Sequence, residues 1–184
     1  MADETPLTRV SAESESSLAQ RRSLTADDPA GAVAGLSPSR TDPAPLGNGR
    51  YRILTHTGKC LDVENASTVV GARIVPASCG SVADSPSQLF DIERIGSGQY
   101  RVTSLSGMCL DRRSITPPLP AYNIIQTACR AANPYQKHLI NSATSKVRSV
   151  DNLCFAAPGP AILLYACSTE RNQTFSFQVV QQGA

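Results

Sequence analysis

Self-similarity at a fixed distance is the strongest constraint on this chain of 184 residues. Residues 51–62 read Y-R-I, then G, then C-L-D, and residues 100–111 read Y-R-V, then G, then C-L-D. Seven positions thus recur at an offset of 49. A third, weaker copy follows at Arg148 and Cys154-Phe155-Ala156. Because a repeated unit usually indicates repeated architecture, the three copies predict one structure built from three versions of the same unit.

The second half of each unit repeats as well. Each copy continues to a second cysteine and then to a glutamine two residues before a ring: Cys79, Gln88 and Phe90; Cys129, Gln136 and His138; Cys167, Gln173 and Phe175. We therefore place the repeats at about 51–98, 99–145 and 146–180.

The six cysteines fall two in each repeat, at positions 60 and 79, 109 and 129, and 154 and 167. Pairing within each repeat is the simplest of the 15 connectivities that six cysteines allow, and it indicates an oxidising compartment. A zinc site is the rival interpretation, but no C-x-x-C motif occurs, so we expect no metal and no cofactor. Residues 1–6 are acidic and no apolar run follows them, so the sequence as written shows no signal peptide. We nevertheless expect a secreted protein.

Residues 1–49 differ in composition from the rest of the chain. They contain no aromatic residue, five prolines, and seven acids against four arginines. Such a segment buries too little apolar surface to offset its chain entropy, so we predict a disordered tail or linker. The remaining residues, 50–184, carry no run of Lys or Arg and no apolar run of about 20 residues. Nucleic-acid binding and membrane insertion are therefore not expected.

From residue 50 onward, short apolar and alternating segments are separated by Gly, Pro, Asn and Ser, which is typical of strands and turns. We predict twelve strands, four per repeat, near 51–55, 59–63, 72–78, 88–95, 99–105, 108–112, 123–128, 136–141, 146–150, 153–157, 161–166 and 173–180. A unit of about 40 residues cannot cover its own apolar face, so the three units should share one core in a closed, capped barrel. Gly96–Gly98 should form a hairpin turn. Pro117–Pro120 should form an exposed loop.

These residues resemble the ricin B-type lectin β-trefoil family. The resemblance rests on three units of G-x-C-L-D, a second cysteine, and Gln-x-ring, and it covers residues 51–180. The usual tryptophan of the last motif is replaced by Phe90, His138 and Phe175, which marks a divergent member. The resemblance implies an all-β fold, a β-trefoil of three four-stranded repeats with pseudo-threefold symmetry behind the disordered tail.

The family resemblance also implies one shallow sugar site per repeat. In each site an Asp accepts from hydroxyls, a ring just before the second cysteine stacks on the sugar, and a polar residue precedes the Gln, which is mostly structural. Carried over by position, the candidate sugar-binding residues are Asp62, Asp111, Tyr165 and Asn172. No repeat has the full set, because Ala77 and Thr127 replace the ring in the first two repeats and Ala156 replaces the Asp in the third.

Each candidate has a structural alternative. Asp62 and Asp111 could instead fix strand-end turns by accepting from backbone amides. Tyr122 or Tyr135 could substitute for the missing ring of the second repeat, and His138 should fill the core-ring position. No catalytic triad or carboxylate pair is visible, so we expect no enzyme activity.

The resemblance therefore predicts a carbohydrate-binding, lectin-like module for galactose-type or related glycans. Its partners would be glycans or glycoproteins, with a toxin or enzyme subunit as a further partner. The alternative is a trefoil that has lost sugar binding and acts as a protein-binding, inhibitory or toxin-accessory subunit, with its contact in the loop from Arg112-Arg113 to Tyr122.

Overall fold

A computed structural model describes residues 45–115 and 121–181 and contains twelve β-strands in those ranges. They are β1 (Gly49–Thr55), β2 (Cys60–Val63), β3 (Ile74–Ala77), β4 (Leu89–Arg94), β5 (Gln99–Ser104), β6 (Cys109–Ser114), β7 (Tyr122–Thr127), β8 (His138–Asn141), β9 (Lys146–Arg148), β10 (Leu153–Ala156), β11 (Leu163–Ala166) and β12 (Phe175–Val179). The only helical elements described are single 3₁₀ turns at Glu64–Ala66, Pro86–Gln88, Pro134–Gln136 and Arg171–Gln173.

Six of the strands form a closed barrel. β1 pairs with β4, β4 with β5, β5 with β8, and β8 with β9, while β12 pairs with β1, all antiparallel. The ring closes between β9 and β12, where Phe175 N donates to Ser145 O at 2.7 Å. Along β1 and β5, buried residues alternate with more exposed ones, so each strand turns one face to the interior.

The other six strands form three hairpins, β2–β3, β6–β7 and β10–β11, one from each repeat. They meet around three isoleucines that are almost fully buried, Ile74, Ile124 and Ile162. Ile162 N donates to Ile74 O at 3.0 Å, and Ile124 N donates to Ile162 O at 2.9 Å. Each hairpin is therefore bonded to its neighbours, and the three together cover one end of the barrel.

The core contains the three rings that follow the repeated glutamines. Phe90, His138 and Phe175 are each at most 2% exposed. The His138 ring meets Phe155 edge to face at 5.2 Å between centroids, and Phe155 meets Phe175 in the same way at 6.4 Å. Edge-to-face contact is the favoured geometry for such rings. The rings of the second and third repeats thus pack in one shared core.

The repeated glycine has a conformational reason. Gly58 and Gly107 lie in the turns after β1 and β5, with φ of 77° and 79°. Asn152 takes the equivalent place after β9, with φ of 66°. Glycine adopts this left-handed region without strain, and asparagine tolerates it better than most residues.

The predicted strands are confirmed at all twelve places, and Gly96–Gly98 does connect β4 to β5. Two details of the sequence interpretation were wrong. The repeated glutamines lie in 3₁₀ turns and not in the strands that follow them. Arg148 pairs with Cys154 as Leu54 pairs with Cys60, so Lys146 and not Arg148 is the counterpart of Arg52. The tail, up to residue 44, and the Pro117–Pro120 loop lie outside the described residues.

Three disulfides close within the repeats as expected: Cys60–Cys79, Cys109–Cys129 and Cys154–Cys167, with Cα–Cα distances of 5.1, 4.9 and 4.9 Å. Each joins a fully buried cysteine on the first hairpin strand to an exposed one just beyond the second strand. Within the described ranges, no helix has the length and apolar character that a membrane span requires.

Candidate functional site

The repeated glutamines make the same hydrogen bonds in all three repeats. The side chain of Gln88 donates to Ser78 O at 2.9 Å and accepts from Gly80 N at 3.0 Å, so it bridges the two residues that flank Cys79. The side chains of Gln136 and Gln173 bridge the residues flanking Cys129 and Cys167 in the same way, with bonds of 2.7–3.0 Å. All three glutamines are buried. Each glutamine thus holds the loop around the second cysteine close to its own 3₁₀ turn, and so close to the residue that precedes it.

In the first repeat, Asp62 is partly buried and bound through one oxygen. Its Oδ2 accepts from Gln88 Nε2 at 2.9 Å, and its Oδ1 has no hydrogen-bond partner among the described residues. The stacking position holds Ala77, and Ser87 precedes the glutamine. Because that Oδ1 is itself buried, this repeat has neither a free, exposed carboxylate oxygen nor a ring on which a sugar could stack.

In the second repeat, Asp111 is only 7% exposed and both of its oxygens are occupied. Oδ1 accepts from Arg112 N at 2.7 Å, and Oδ2 accepts from Asn133 Nδ2 at 2.7 Å and Gln136 Nε2 at 3.0 Å. The side chain of Asn133 in turn accepts from Tyr135 N. Asp111 thus holds the turn before Gln136 in place, and its oxygens are not directed at solvent.

In the second repeat a neighbouring side chain covers one face of each of two rings, although Tyr135 remains 37% exposed. The guanidinium carbon of Arg112 lies 3.7 Å from the centroid of Tyr135 and 4.2 Å from that of Tyr122. Arg112 also forms an ion pair with Asp151, which lies in the turn after β9 in the third repeat. Burial by itself would raise the pKa of Asp151, but the Ser149 hydroxyl and the Arg112 guanidinium outweigh it and lower that pKa. The pair therefore stays charged near neutral pH.

In the third repeat Tyr165 and Asn172 are the chain neighbours of two residues that are bonded to each other. Ala166, next to Tyr165, accepts a bond from Gln173, next to Asn172, at 2.8 Å. Ala157 N donates to Asn172 O at 2.7 Å, so the position of the missing Asp, Ala156, adjoins them. Both side chains are partly exposed, and neither the Tyr165 hydroxyl nor the Asn172 amide has a hydrogen-bond partner among the described residues. We call Tyr165, Asn172 and Ala156 the third-repeat site.

Two charged residues of the third repeat, Lys146 and Glu170, contact or belong to the loop that follows Cys167, and Lys146 had no site role assigned from the sequence. Lys146 Nζ donates to Ser168 O at 2.6 Å and contacts Gln173 Oε1 at 3.4 Å, which occupies the Ser168 carbonyl. Glu170 lies exposed in the same loop, and its carboxylate has no partner in the described part of the chain. Ser168 and Glu170 are the two side chains of this loop that could replace the missing Asp as acceptors. The Ser168 hydroxyl already accepts from Glu170 N at 3.2 Å, whereas the Glu170 carboxylate has no partner among the described residues.

The two histidines differ in what they could do. His138 is fully buried, and burial lowers its pKa to about 4, although its bond to Leu110 O and the charge of Asp111 act in the opposite direction. A neutral, enclosed ring of this kind fills the core and cannot exchange protons with a ligand. His56 is exposed beside a cleft of about 620 Å³ between the β1–β2 turn and Pro158–Pro160. Neither Tyr165 nor Asn172 lines that cleft.

The chain resembles known proteins in its family signature and in its fold. The model of the family described as "Ricin-type beta-trefoil lectin domain" matches residues 49–175. No curated protein sequence matches the chain.

Three solved structures illustrate the similarity of fold. The designed threefold-symmetric protein ThreeFoil has a TM-score of 0.62 at 24% identity, covering 72% of this chain and 99% of that one. The C-half of an earthworm R-type lectin in complex with GalNAc has a TM-score of 0.57 at 15% identity, covering 72% and 99%. The cytolethal distending toxin of Actinobacillus actinomycetemcomitans has a TM-score of 0.57 at 14% identity, covering 74% and 95%. At these identities the structures bear on the fold alone.

Proposed function

Because the chain belongs to the ricin-type β-trefoil lectin domain family, we propose that it is a carbohydrate-binding module and that its third repeat is the part that binds galactose-type or related glycans. The single observation that supports this choice is the third-repeat site, where a partly exposed ring and an amide with free hydrogen-bonding capacity flank the same Gln173–Ala166 hydrogen bond. In the first two repeats the position of Tyr165 holds Ala77 and Thr127, so the ring is missing there.

The proposed contacts follow from the chemistry of a pyranose. Its apolar C–H face would stack on Tyr165, and its hydroxyls would bond to the Asn172 amide. Glu170 would accept from a hydroxyl in place of the Asp that Ala156 replaces. A single shallow site of this kind should have a dissociation constant near 1 mM, about −4 kcal/mol. Asp62 and Asp111 are weaker candidates for sugar binding. The first repeat lacks a ring, and the oxygens of Asp111 are already occupied by hydrogen bonds within the chain.

The test is titration of the full chain with methyl β-galactoside, followed by protein NMR. Tyr165→Ala should weaken binding by about 1–2 kcal/mol, since the stacked area is lost, and that puts binding beyond detection. The matched control is Tyr165→Phe, which keeps the ring and removes only its hydroxyl, and it should bind like the wild type. A further variant, Glu170→Ala, removes the proposed exposed acceptor and should weaken binding roughly tenfold.

Binding that survives Tyr165→Ala but disappears in Asp62→Ala or Asp111→Ala would move the site to an earlier repeat. We assign the protein no reaction and no metal, and we infer secretion from the three disulfides, which persist in oxidising compartments.

A second candidate function, protein binding, is favoured by one surface feature. Val69 and Val70 are 63% and 61% exposed on the loop between β2 and β3, although that loop is firmly bonded to buried Gln126. A rigid, exposed apolar pair is a feature of protein contact surfaces. The loop named from the sequence for this role includes residues 116–120, which lie outside the described ranges. Absence of any saccharide binding by the wild type on a glycan array would make protein binding the better candidate.

A further inference from the structure

Arg112 is a charged residue on a surface strand, yet its side chain is only 14% exposed. Its guanidinium group lies over the faces of two tyrosine rings, 3.7 Å from the centroid of Tyr135 and 4.2 Å from that of Tyr122. A guanidinium at these distances is attracted to the negative face of each ring. The ring faces that point toward Arg112 are therefore already in contact with a ligand-like group from the chain itself.

The guanidinium is also held from a second side. Asp151, contributed by the third repeat, pairs with it, and the Ser149 hydroxyl fixes the other carboxylate oxygen. The cluster of Arg112, Tyr122, Tyr135 and Asp151 thus consists of one cation, two rings and one carboxylate. Rings and a carboxylate are also the groups that a pyranose requires, the rings for its C–H face and the carboxylate for its hydroxyls.

The position of Arg112 in the repeat explains what it covers. Arg112 directly follows Asp111, and Tyr135 directly precedes Gln136. The counterparts of Arg112 and Tyr135 in the third repeat are Ala157 and Asn172, whose backbones are bonded at 2.7 Å. These two positions therefore adjoin at the edge of the site. A small side chain at the first position leaves the edge open in the third repeat, and a long one covers it in the second.

We propose that Arg112 is an internal occupant of the second repeat's site and that it prevents this repeat from binding sugar. The arginine thereby determines valency, because it leaves the third repeat as the one that binds. The choice of sugar as the excluded ligand rests on the proposed function. The contact of Arg112 with the two rings is independent of that proposal, because it is observed in the structure.

Replacing Arg112 by alanine should open the cluster. It would uncover the faces of Tyr122 and Tyr135 and would release the Asp151 carboxylate as an acceptor. We therefore expect Arg112→Ala to gain a second, saturable site for methyl β-galactoside, with a dissociation constant on the order of 1–10 mM. Arg113→Ala is the matched control, because Arg113 is the exposed neighbour on the same strand and is absent from the cluster.

The experiment follows the ring signals of the tyrosines by NMR in the full chain during the titration. Wild type and Arg113→Ala should show shifts at Tyr165 and none at Tyr135. Arg112→Ala should show shifts at both rings, and the double variant Arg112→Ala/Tyr135→Ala should show them at Tyr165 only. A folded Arg112→Ala with no shift at Tyr135 would overturn the proposal, and so would a shift at Tyr135 in the wild type.

Asp151→Ala is the second variant, to be used if Arg112→Ala fails to fold. It keeps the arginine but removes its anchor, so it should give a smaller shift of the same Tyr135 signal, and absence of that shift would also overturn the proposal. The two ring signals separate this proposal from the proposed function. Loss of the Tyr165 response alone contradicts sugar binding by the third repeat, whereas absence of a gain at Tyr135 contradicts the role of Arg112.

Discussion

His138 lies in the core at the position that Phe90 and Phe175 occupy in the other two repeats, and it packs against Phe155. Its Nε2 donates to Leu110 O, and its Nδ1 has no partner among the described residues. Burial lowers the pKa of His138 to about 4, so the imidazole takes up a second ring proton less readily in the folded protein than in the unfolded chain. The consequence is a dependence of stability on pH.

The sign follows from proton linkage. The unfolded histidine, with a pKa near 6.5, takes up a proton as the pH falls below that value, whereas the folded one does so only near pH 4. The contribution of His138 is therefore fully present above pH 6.5 and is lost as the pH falls toward 4. The free energy of unfolding should fall by about 3 kcal/mol over that window. Urea denaturation at a series of pH values measures it.

His138→Phe is the control, since phenylalanine is the residue at the two equivalent positions. The variant cannot take up the proton, so its stability should change little between pH 6.5 and 4. An equally steep loss of stability in the variant would assign the pH dependence to other groups.

Asp62 and Asp111 show why the sequence could not rank the candidate sites. Both belong to the same C-L-D motif, and both accept from the repeated glutamine. Only Asp111 also accepts from Asn133, 22 positions away, because the equivalent residue of the first repeat is Ser85, which has no amide to donate. The number of free oxygens thus depends on side chains outside the motif.

At the scale of elements, the loop between β2 and β3 depends on one buried side chain from another repeat. Gln126 on β7 donates through Nε2 to Ser67 O at 2.8 Å and to Val69 O at 3.0 Å. Its Oε1 accepts from the hydroxyls of Ser104 and Ser106. One amide group therefore ties the loop of the first repeat to β5 and the turn after it.

Gln126→Ala should destabilise the protein by about 2–3 kcal/mol, because it removes the four hydrogen bonds of a fully buried amide and leaves a cavity in its place. Hydrogen exchange should rise in residues 67–72 and remain unchanged in the β10–β11 hairpin. Gln178→Ala on the exposed face of β12 is the control and should have little effect. Unchanged exchange in residues 67–72 would show that the backbone bonds of Gln126 suffice to hold the loop.

Period-two patterning and turn residues located the twelve strands, because these signals are local. The 3₁₀ turns at the repeated glutamines escaped prediction because each lasts a single turn and has no periodicity to detect. Lys146 was missed as the counterpart of Arg52 for a different reason. Aligning β9 with β1 two residues out of register leaves every side chain on the same face of the strand, so the pattern of buried residues cannot reveal the error. Only the pairing of Arg148 with Cys154 fixes the alignment.

The stability of the whole molecule should depend on each disulfide by a similar amount. The bridges span 19, 20 and 13 residues, and the stabilisation grows only with the logarithm of loop length. Replacing either Cys154–Cys167 or Cys109–Cys129 by a pair of alanines should lower the free energy of unfolding by about 3 kcal/mol.

Urea denaturation should show one transition in each double variant, since the three repeats share a core. Separate transitions would indicate that a repeat unfolds independently. A loss well under 1 kcal/mol in either variant would mean that the bridge contributes little beyond the packing around it.

The pairing of β12 with β1 joins the two ends of the described fold. Tyr51 lies opposite Val179, and Thr55 lies opposite Phe175, so the chain enters and leaves at the same end of one strand pair. Tension applied between the two ends would pull β1 and β12 apart from that end, so their backbone hydrogen bonds would break one after another. If the ends lay at opposite ends of the strand pair, the force would instead shear the strands and load all of these hydrogen bonds at once. If the module tethers a partner to a glycan surface, its linkage should therefore be compliant under pulling, because the three disulfides close the cap hairpins and none of them crosses the β1–β12 pair.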